Sequence, residues 1–304
     1  MDKAFKDKYD FYLAGCAIAS VEKTIRANNY CRLLSWISER KVIEKRCTLG
    51  YSTFVDSGAF SAYSRGIEID VDDYIDWLNQ WHPNLERYCC WDTIPTKDID
   101  PSVSAKKTWE NYLYMKGKLN DPNKLVYCFH YGEDISYLIN ALDSGIDYVA
   151  LGGVARKGRK QRYEFFTQLI PIFEMYPHVH VHAFGMTALD VLNDFPYISS
   201  SDSSSWLYPP KFLRIDTDNF GAVFFGTDKT KEINEKESVD NLTPLELGVL
   251  AQELATRGFT IDDMRNLGKE HTGNKERSDW QIYYWVDRMN NGVKRDNQKD
   301  EDEE

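Results

Sequence analysis

Short apolar runs and longer amphipathic stretches alternate along most of this chain. Runs with strand character recur at 11–17, 31–36, 53–56, 87–92, 125–130, 147–152, 178–184 and 197–201. Between them the apolar positions fall three and four apart, as in Tyr74, Ile75, Leu78 and Trp81, or Phe165, Phe166, Leu169, Ile170 and Phe173. That is the spacing of helices with one buried face. The run Leu125-Val126-Tyr127-Cys128-Phe129 does not alternate polar with apolar, as expected of a parallel strand covered on both faces. Eight strand–helix alternations predict an α/β fold, a single (βα)8 TIM barrel rather than an open sheet.

Capping residues agree at several joints. Asp70 or Asp72 is placed to cap the helix through Trp81, Thr187 to cap Ala188–Leu192, and Gly145 to end a helix over 135–143. After the eighth strand the pattern changes. Residues 203–242 hold a hairpin candidate at 211–226 and a polar stretch, Lys229 to Asn241, and read as an insertion. Thr243-Pro244-Leu245-Glu246 is a capping box with proline at the first helical position, and its helix is expected to close the barrel. Another helix is expected over 276–290, packed outside the barrel by Trp280, Tyr283, Tyr284 and Val286. The expected division is a barrel domain over 1–260, a helical extension over 261–293 and an acidic, disordered tail over 294–304.

Composition narrows the class. The 304 residues, 42% hydrophobic, suffice for one large core. No run approaches the roughly 18 apolar residues a membrane span needs, and the first residues lack a signal-peptide apolar region. A protein of the cytoplasm is expected. The six cysteines include no Cys-x-x-Cys pair, so neither a disulfide framework nor a thiolate zinc site is expected. The net charge is -11, of which residues 294–304 supply -3 through six acids and three bases. The body is therefore acidic too, and nucleic acid must be met by a local basic patch.

The chemistry gathers at strand ends. Asp56, Asp92 and Asp202 each follow an expected strand, and in a parallel barrel the C-terminal rim carries the active site. In Asp56-Ser57-Gly58-Ala59-Phe60 the glycine leaves room for a flat ligand and Phe60 offers a stacking face; a plain turn would use Asp56 as a cap. Asp92, before Thr93-Ile94-Pro95, can accept two N–H groups from a guanine-like base edge or cap the turn. His130 ends the fifth strand and can donate to a base carbonyl or serve packing. Gly152 and Gly153 leave bare backbone at the sixth strand end. Arg156, Lys157, Arg159, Lys160 and Arg162 place five bases in seven residues at a helix start, where they oppose the helix dipole; they suit a phosphate backbone or a solvated face. His178, His180 and His182 alternate with valines, so all three share one strand face and only His182 is placed to reach the rim. Phe184 can wall a pocket opposite Phe60. Asp202 sits among Ser199–Ser205 hydroxyls that would keep it ionised, and an ionised, accessible aspartate can attack a sugar carbon.

These segments, in this order from about 50 to 206, resemble the tRNA-guanine transglycosylase superfamily. Its Asp-Ser-Gly-Gly-Phe/Tyr segment is similar to Asp56-Ser57-Gly58-Ala59-Phe60, and its Phe-Asp segment before a proline loop to Trp91-Asp92-Thr93-Ile94-Pro95. Its Gly-Gly-Leu-Ala turn resembles Gly152-Gly153-Val154-Ala155, and its Met-Gly segment Phe184-Gly185. Two features depart from the family: His130 stands in place of its fifth-strand glutamine, and its Cys-x-Cys-x-x-Cys plus His zinc site is absent. A zinc-free, short chain of this kind is most similar to the DpdA branch, which inserts deazapurines into DNA.

The resemblance implies exchange of guanine in DNA for a 7-deazaguanine such as preQ0, with no cofactor and no metal. Asp202 would be the nucleophile and Asp56 the proton shuttle. Ser57, Asp92, His130, Gly152 and Gly153 would bind the base between Phe60 and Phe184. The target deoxyguanosine would be flipped out, helped by Arg156–Arg162. An acidic body leaves room for a partner that presents or unwinds the duplex. Three other readings are carried forward: base exchange in tRNA, a metal-dependent hydrolase using His130, His180, His182 and Asp202, and a silent base- or nucleic-acid-binding accessory.

Overall fold

The computed structural model describes residues 9–15, 17–226, 237–265 and 272–295. Eight parallel strands, β1 (Asp10–Ala14), β2 (Arg32–Ser35), β3 (Phe54–Asp56), β4 (Arg87–Cys89), β5 (Leu125–His130), β6 (Tyr148–Gly152), β7 (His180–Ala183) and β8 (Ser200–Ser203), pair in chain order. β8 returns to pair with β1, setting Tyr12 beside Asp202 and closing the barrel. The intervening helices are α1 (Ala19–Ala27), α2 (Trp36–Thr48), α3 (Ala59–Arg65), α4 (Val71–Trp81), α5 (Pro101–Lys118), α6 (Ile135–Asp143), α7 (Arg159–Met175) and α8 (Leu189–Asp194). The expected α/β barrel is therefore present.

The described residues form two compact units, one of 9–15, 31–203 and 292–295, the other of 17–30, 204–226, 237–265 and 272–291. In the first, the barrel interior is filled by aromatic rings meeting edge to face. Phe54 of β3 lies 5.5 Å from Tyr12, 5.8 Å from Tyr148 and 5.1 Å from His182 between ring centres. Such geometry sets the positive edge of one ring on the negative face of another, and it fixes the floor beneath the rim.

Local signals acted largely as expected. The Asp70 carboxylate accepts from the Asp72 amide at 2.9 Å, and the Gly145 amide closes α6 on the Leu142 carbonyl at 2.9 Å. Thr187 does not cap: α8 begins at Leu189 with Ala188 as its N-cap and no side-chain cap, so Thr187 stands one residue too early. β8 begins three residues later than the expected 197–201. Its four buried residues are Ser200-Ser201-Asp202-Ser203, a polar strand that hydropathy reads as loop. Burial is tolerated because the hydroxyls are partnered: Ser201 donates to the Met186 carbonyl at 2.6 Å and meets the Tyr9 hydroxyl, and Ser200 meets His182 and Tyr148.

The second unit contains α1, α9 (Tyr208–Lys211), an antiparallel hairpin of β9 (Arg214–Thr217) and β10 (Gly221–Phe224), α10 (Pro244–Ala255), α11 (Ile261–Arg265) and α12 (Thr272–Gly292). The Thr243–Glu246 capping box forms, the Thr243 amide donating to Glu246 at 2.7 Å. The role expected for α10 is corrected, however. Pairing of β8 with β1 closes the barrel, and Leu250 and Leu254 of α10 instead share a core with Ile215, Val223, Trp280 and Tyr284. Of the α12 residues expected to pack outside the barrel, Trp280 and Tyr284 belong to that same core, Tyr283 sets its ring 6.1 Å from that of Phe259, and the Trp280 indole donates to the Asp216 carbonyl at 2.8 Å. Residues 227–236 of the expected insertion and 296–304 of the expected tail lie outside the described residues. No described helix is long and apolar enough to cross a membrane.

Candidate active site

The C-terminal ends of β3, β5 and β8 and the segment after β4 carry Asp56, His130, Asp202 and Asp92 respectively. Asp56 is the last residue of β3, paired in register with Ser35. Its carboxyl is held well above the usual carboxylate range, at about 7. Burial is the main cause, the negative charges of Asp92 and Asp202 add to it, and a hydrogen bond from the Gly58 amide opposes it. Asp56 is thus close enough to Asp92 and Asp202 to feel the charge of both.

Asp92 and His130 are joined to each other. Asp92 Oδ1 accepts from the Ser57 hydroxyl at 2.8 Å, and Asp92 Oδ2 lies 3.0 Å from His130 Nε2. On its other side His130 Nδ1 lies 3.2 Å from Glu133 Oε1, while the His130 amide donates to Glu133 Oε2 at 2.8 Å. His130 is 3% exposed and Glu133 8%. Burial alone would lower the imidazole pKa, but hydrogen bonds to Asp92 and Glu133 outweigh it and raise it to about 10. At neutral pH His130 is thus a cation between two carboxylates, with neither ring nitrogen left over for a ligand. Glu133 was not among the residues singled out from sequence; its only signal was an acid three positions after the strand-end histidine. Gly152 keeps this ring in place, because a Cβ there would stand 2.6 Å from His130 Cδ2.

Asp202 is held by a separate set. His182 Nε2 lies 3.2 Å from Asp202 Oδ1, and the Gly185 amide donates to the same oxygen at 2.9 Å. Gly185 adopts a φ of +62°, and a Cβ there would come within 2.9 Å of Ala155 Cβ, so glycine is what lets this amide face the carboxylate. His182 is fully buried, but His180 is half-buried and stacked on Tyr148, and His178 is exposed. β7 begins at His180, so His178 lies in the turn before it, and of the three histidines expected on one strand face only His180 and His182 are in the strand. Among the described residues, no group of three His, Cys, Asp or Glu side chains could hold a metal ion.

The stacking and phosphate candidates surround this cluster unevenly. Phe60 is 50% exposed, with the Arg156 guanidinium 5.6 Å from its ring centre. Phe184 sets its ring 5.0 Å from that of His182. Gly153 is exposed at the end of the strand. Of the basic run, Arg159 is engaged by Asp190 at 2.8 Å and Lys160 by Glu164 at 3.7 Å, while Arg162 donates to the Ala155 carbonyl at 3.0 Å. Arg156 and Lys157 instead lie over Phe60 and Tyr131.

A cavity of about 720 Å³ lined by Asp10, Glu86, Arg87, Asp147 and His180 contains none of the rim residues. Its cations are occupied, Arg87 by the Asn123 carbonyl at 2.6 Å and Lys124 by the carbonyls of His82 and Leu85 at 2.8 and 2.7 Å. Neither a protein-family model nor a curated protein matches this chain.

Proposed function

We propose that this chain is a base-exchanging transglycosylase of the tRNA-guanine transglycosylase superfamily, nearest the DpdA branch, acting on 2'-deoxyguanosine in DNA. The observation that carries the reading is a pair of acids at one rim in different surroundings. Asp202 is held by two N–H donors on one oxygen, and Asp56 is pushed up to about 7, where it can give and take a proton near neutral pH. Pairs of acids with separated roles are what glycosyl transfer through a covalent intermediate needs.

In this reading Asp202 attacks C1' of the flipped-out nucleotide. The C1'–N9 bond breaks, its electron pair leaves with guanine, and the Asp56 proton goes to the departing base. A 7-deazaguanine such as preQ0 then enters, gives its N9 proton to Asp56 and attacks C1'. The bond to Asp202 breaks and the enzyme is restored. Two displacements at one carbon retain its configuration. Ser57, Asp92 and the His130 cation form a charged wall for the base edge rather than three free donors and acceptors, with Gly153 backbone beside them and Phe60 and Phe184 across the faces. Arg156 and Lys157 meet the phosphates. No cofactor enters this scheme.

The test is nucleoside mass spectrometry after incubation with preQ0 and, separately, duplex DNA, single-stranded DNA or tRNA. The expected product is a deazaguanine deoxynucleoside in DNA. Incorporation into tRNA alone would keep the chemistry and overturn the substrate; a protein that binds preQ0 or DNA without turnover would be an accessory.

The pH dependence tests Asp56 separately. Guanine departure requires the protonated acid, so its single-turnover rate should fall about tenfold per pH unit above pH 7. Asp56→Asn should be about 100-fold slower or worse and lack this alkaline limb. A limb that survives the substitution assigns it to another group.

A further inference from the structure

The Asp202 carboxylate is asymmetric. Both of its hydrogen bonds, from the Gly185 amide at 2.9 Å and with His182 Nε2 at 3.2 Å, converge on Oδ1, and among the described residues Oδ2 accepts none. A carboxylate oxygen here can only accept, so Nε2 of His182 must carry the proton. The ring is set from behind. Its Nδ1 lies 2.9 Å from Ser200 Oγ, which in turn lies 3.2 Å from the Tyr148 hydroxyl. Tyr12, Phe54 and Phe184 enclose the ring at 5.7, 5.1 and 5.0 Å between centres, and none of its surface is exposed.

We propose that His182 is a positioning residue for Asp202: its Nε2–H and the Gly185 amide hold Oδ1, so that Oδ2 alone is presented for attack. This rests on Asp202 being the nucleophile of the proposed exchange. The chain Tyr148–Ser200–His182–Asp202 links β6, β7 and β8 through the barrel interior. It gives Ser200 of the polar strand β8 a partner on each side. The same logic governs the imidazoles that orient metal ligands and catalytic groups through their second nitrogen.

Substitutions separate positioning from packing. His182→Gln keeps an N–H near the Nε2 position, His182→Asn keeps one only near Nδ1, and His182→Leu fills the volume without a donor. Adduct formation on DNA, measured in single turnover at saturating substrate, should stay within about tenfold of the parent for His182→Gln and fall about 100-fold for the other two, with KM little changed. Melting temperatures should not follow that order. Equal losses for glutamine and leucine, or losses that track melting temperature, would overturn the proposal.

A second measurement does not need turnover. In ¹⁵N-histidine-labelled full-length protein, His182 should show a proton on Nε2, and Asp202→Ala should shift or remove that signal. A proton found on Nδ1 alone overturns the assignment. A parent that forms no adduct while this signal behaves as expected would sink the exchange reaction and leave the His182–Asp202 contact standing.

Discussion

Asp202→Asn should abolish the covalent adduct and lower base exchange on the order of 10⁴-fold, with the barrel intact. Asparagine keeps an oxygen at the Oδ1 position, so the Gly185 amide and His182 Nε2 retain their acceptor. It places a non-nucleophilic NH₂ where Oδ2 would attack. Asp202 is 7% exposed, and a neutral side chain of the same shape leaves burial unchanged, so stability should move by about 1 kcal/mol or less. Intact-protein mass spectrometry after reaction with a guanine-containing oligodeoxynucleotide would show the adduct in the parent and none in the variant. Circular dichroism melting would show matching transitions. Exchange at the parent rate would remove Asp202 from the mechanism.

His130→Leu should be the most damaging single change to stability in this site, by about 3–5 kcal/mol, because it removes the cation between two buried carboxylates and leaves both uncompensated. Asp92 and Glu133 lie 3.0 and 3.2 Å from the two ring nitrogens. Urea titration would measure the loss, and an unchanged midpoint would mean that the two acids do not depend on His130. The pH dependence has a definite sign. His130 has a folded pKa of about 10, above the roughly 6.5 of an unfolded chain. Its contribution is fully present below about pH 6.5 and is lost as pH rises through about 10. The deficit of the leucine variant should therefore narrow above neutral pH. His130→Gln can donate one N–H but carries no charge, and should fall between the two.

Glutamine would meet Asp92 as a neutral donor; His130 brings a charge and with it a second acid, Glu133, whose Oε1 also accepts from Ser104. Ser57, Asp92, His130 and Glu133 are consequently one network locked together, rather than side chains waiting to be paired. Preorganisation of this kind lowers the cost of ordering groups when a ligand arrives.

Much of this molecule was legible from its sequence. Eight apolar runs separated by helical spacing determined the barrel, because a parallel strand covered on both faces needs uninterrupted hydrophobicity and each helix needs one apolar stripe. The same runs marked Asp56, Asp92 and His130 at their C-terminal ends, although the fourth strand itself stops at Cys89. Tertiary structure decided the pairings. Asp92 with His130 joins residues 38 apart, and His182 with Asp202 residues 20 apart, and no local pattern says which strands become neighbours at a closed rim. Tertiary structure also made a strand of Ser200–Ser203, since its hydroxyls are acceptable in the core only once Tyr9, Tyr148, His182 and the Met186 carbonyl surround them. It sent α10 to the hairpin core rather than the barrel, because an amphipathic helix specifies that it needs an apolar partner but not which one.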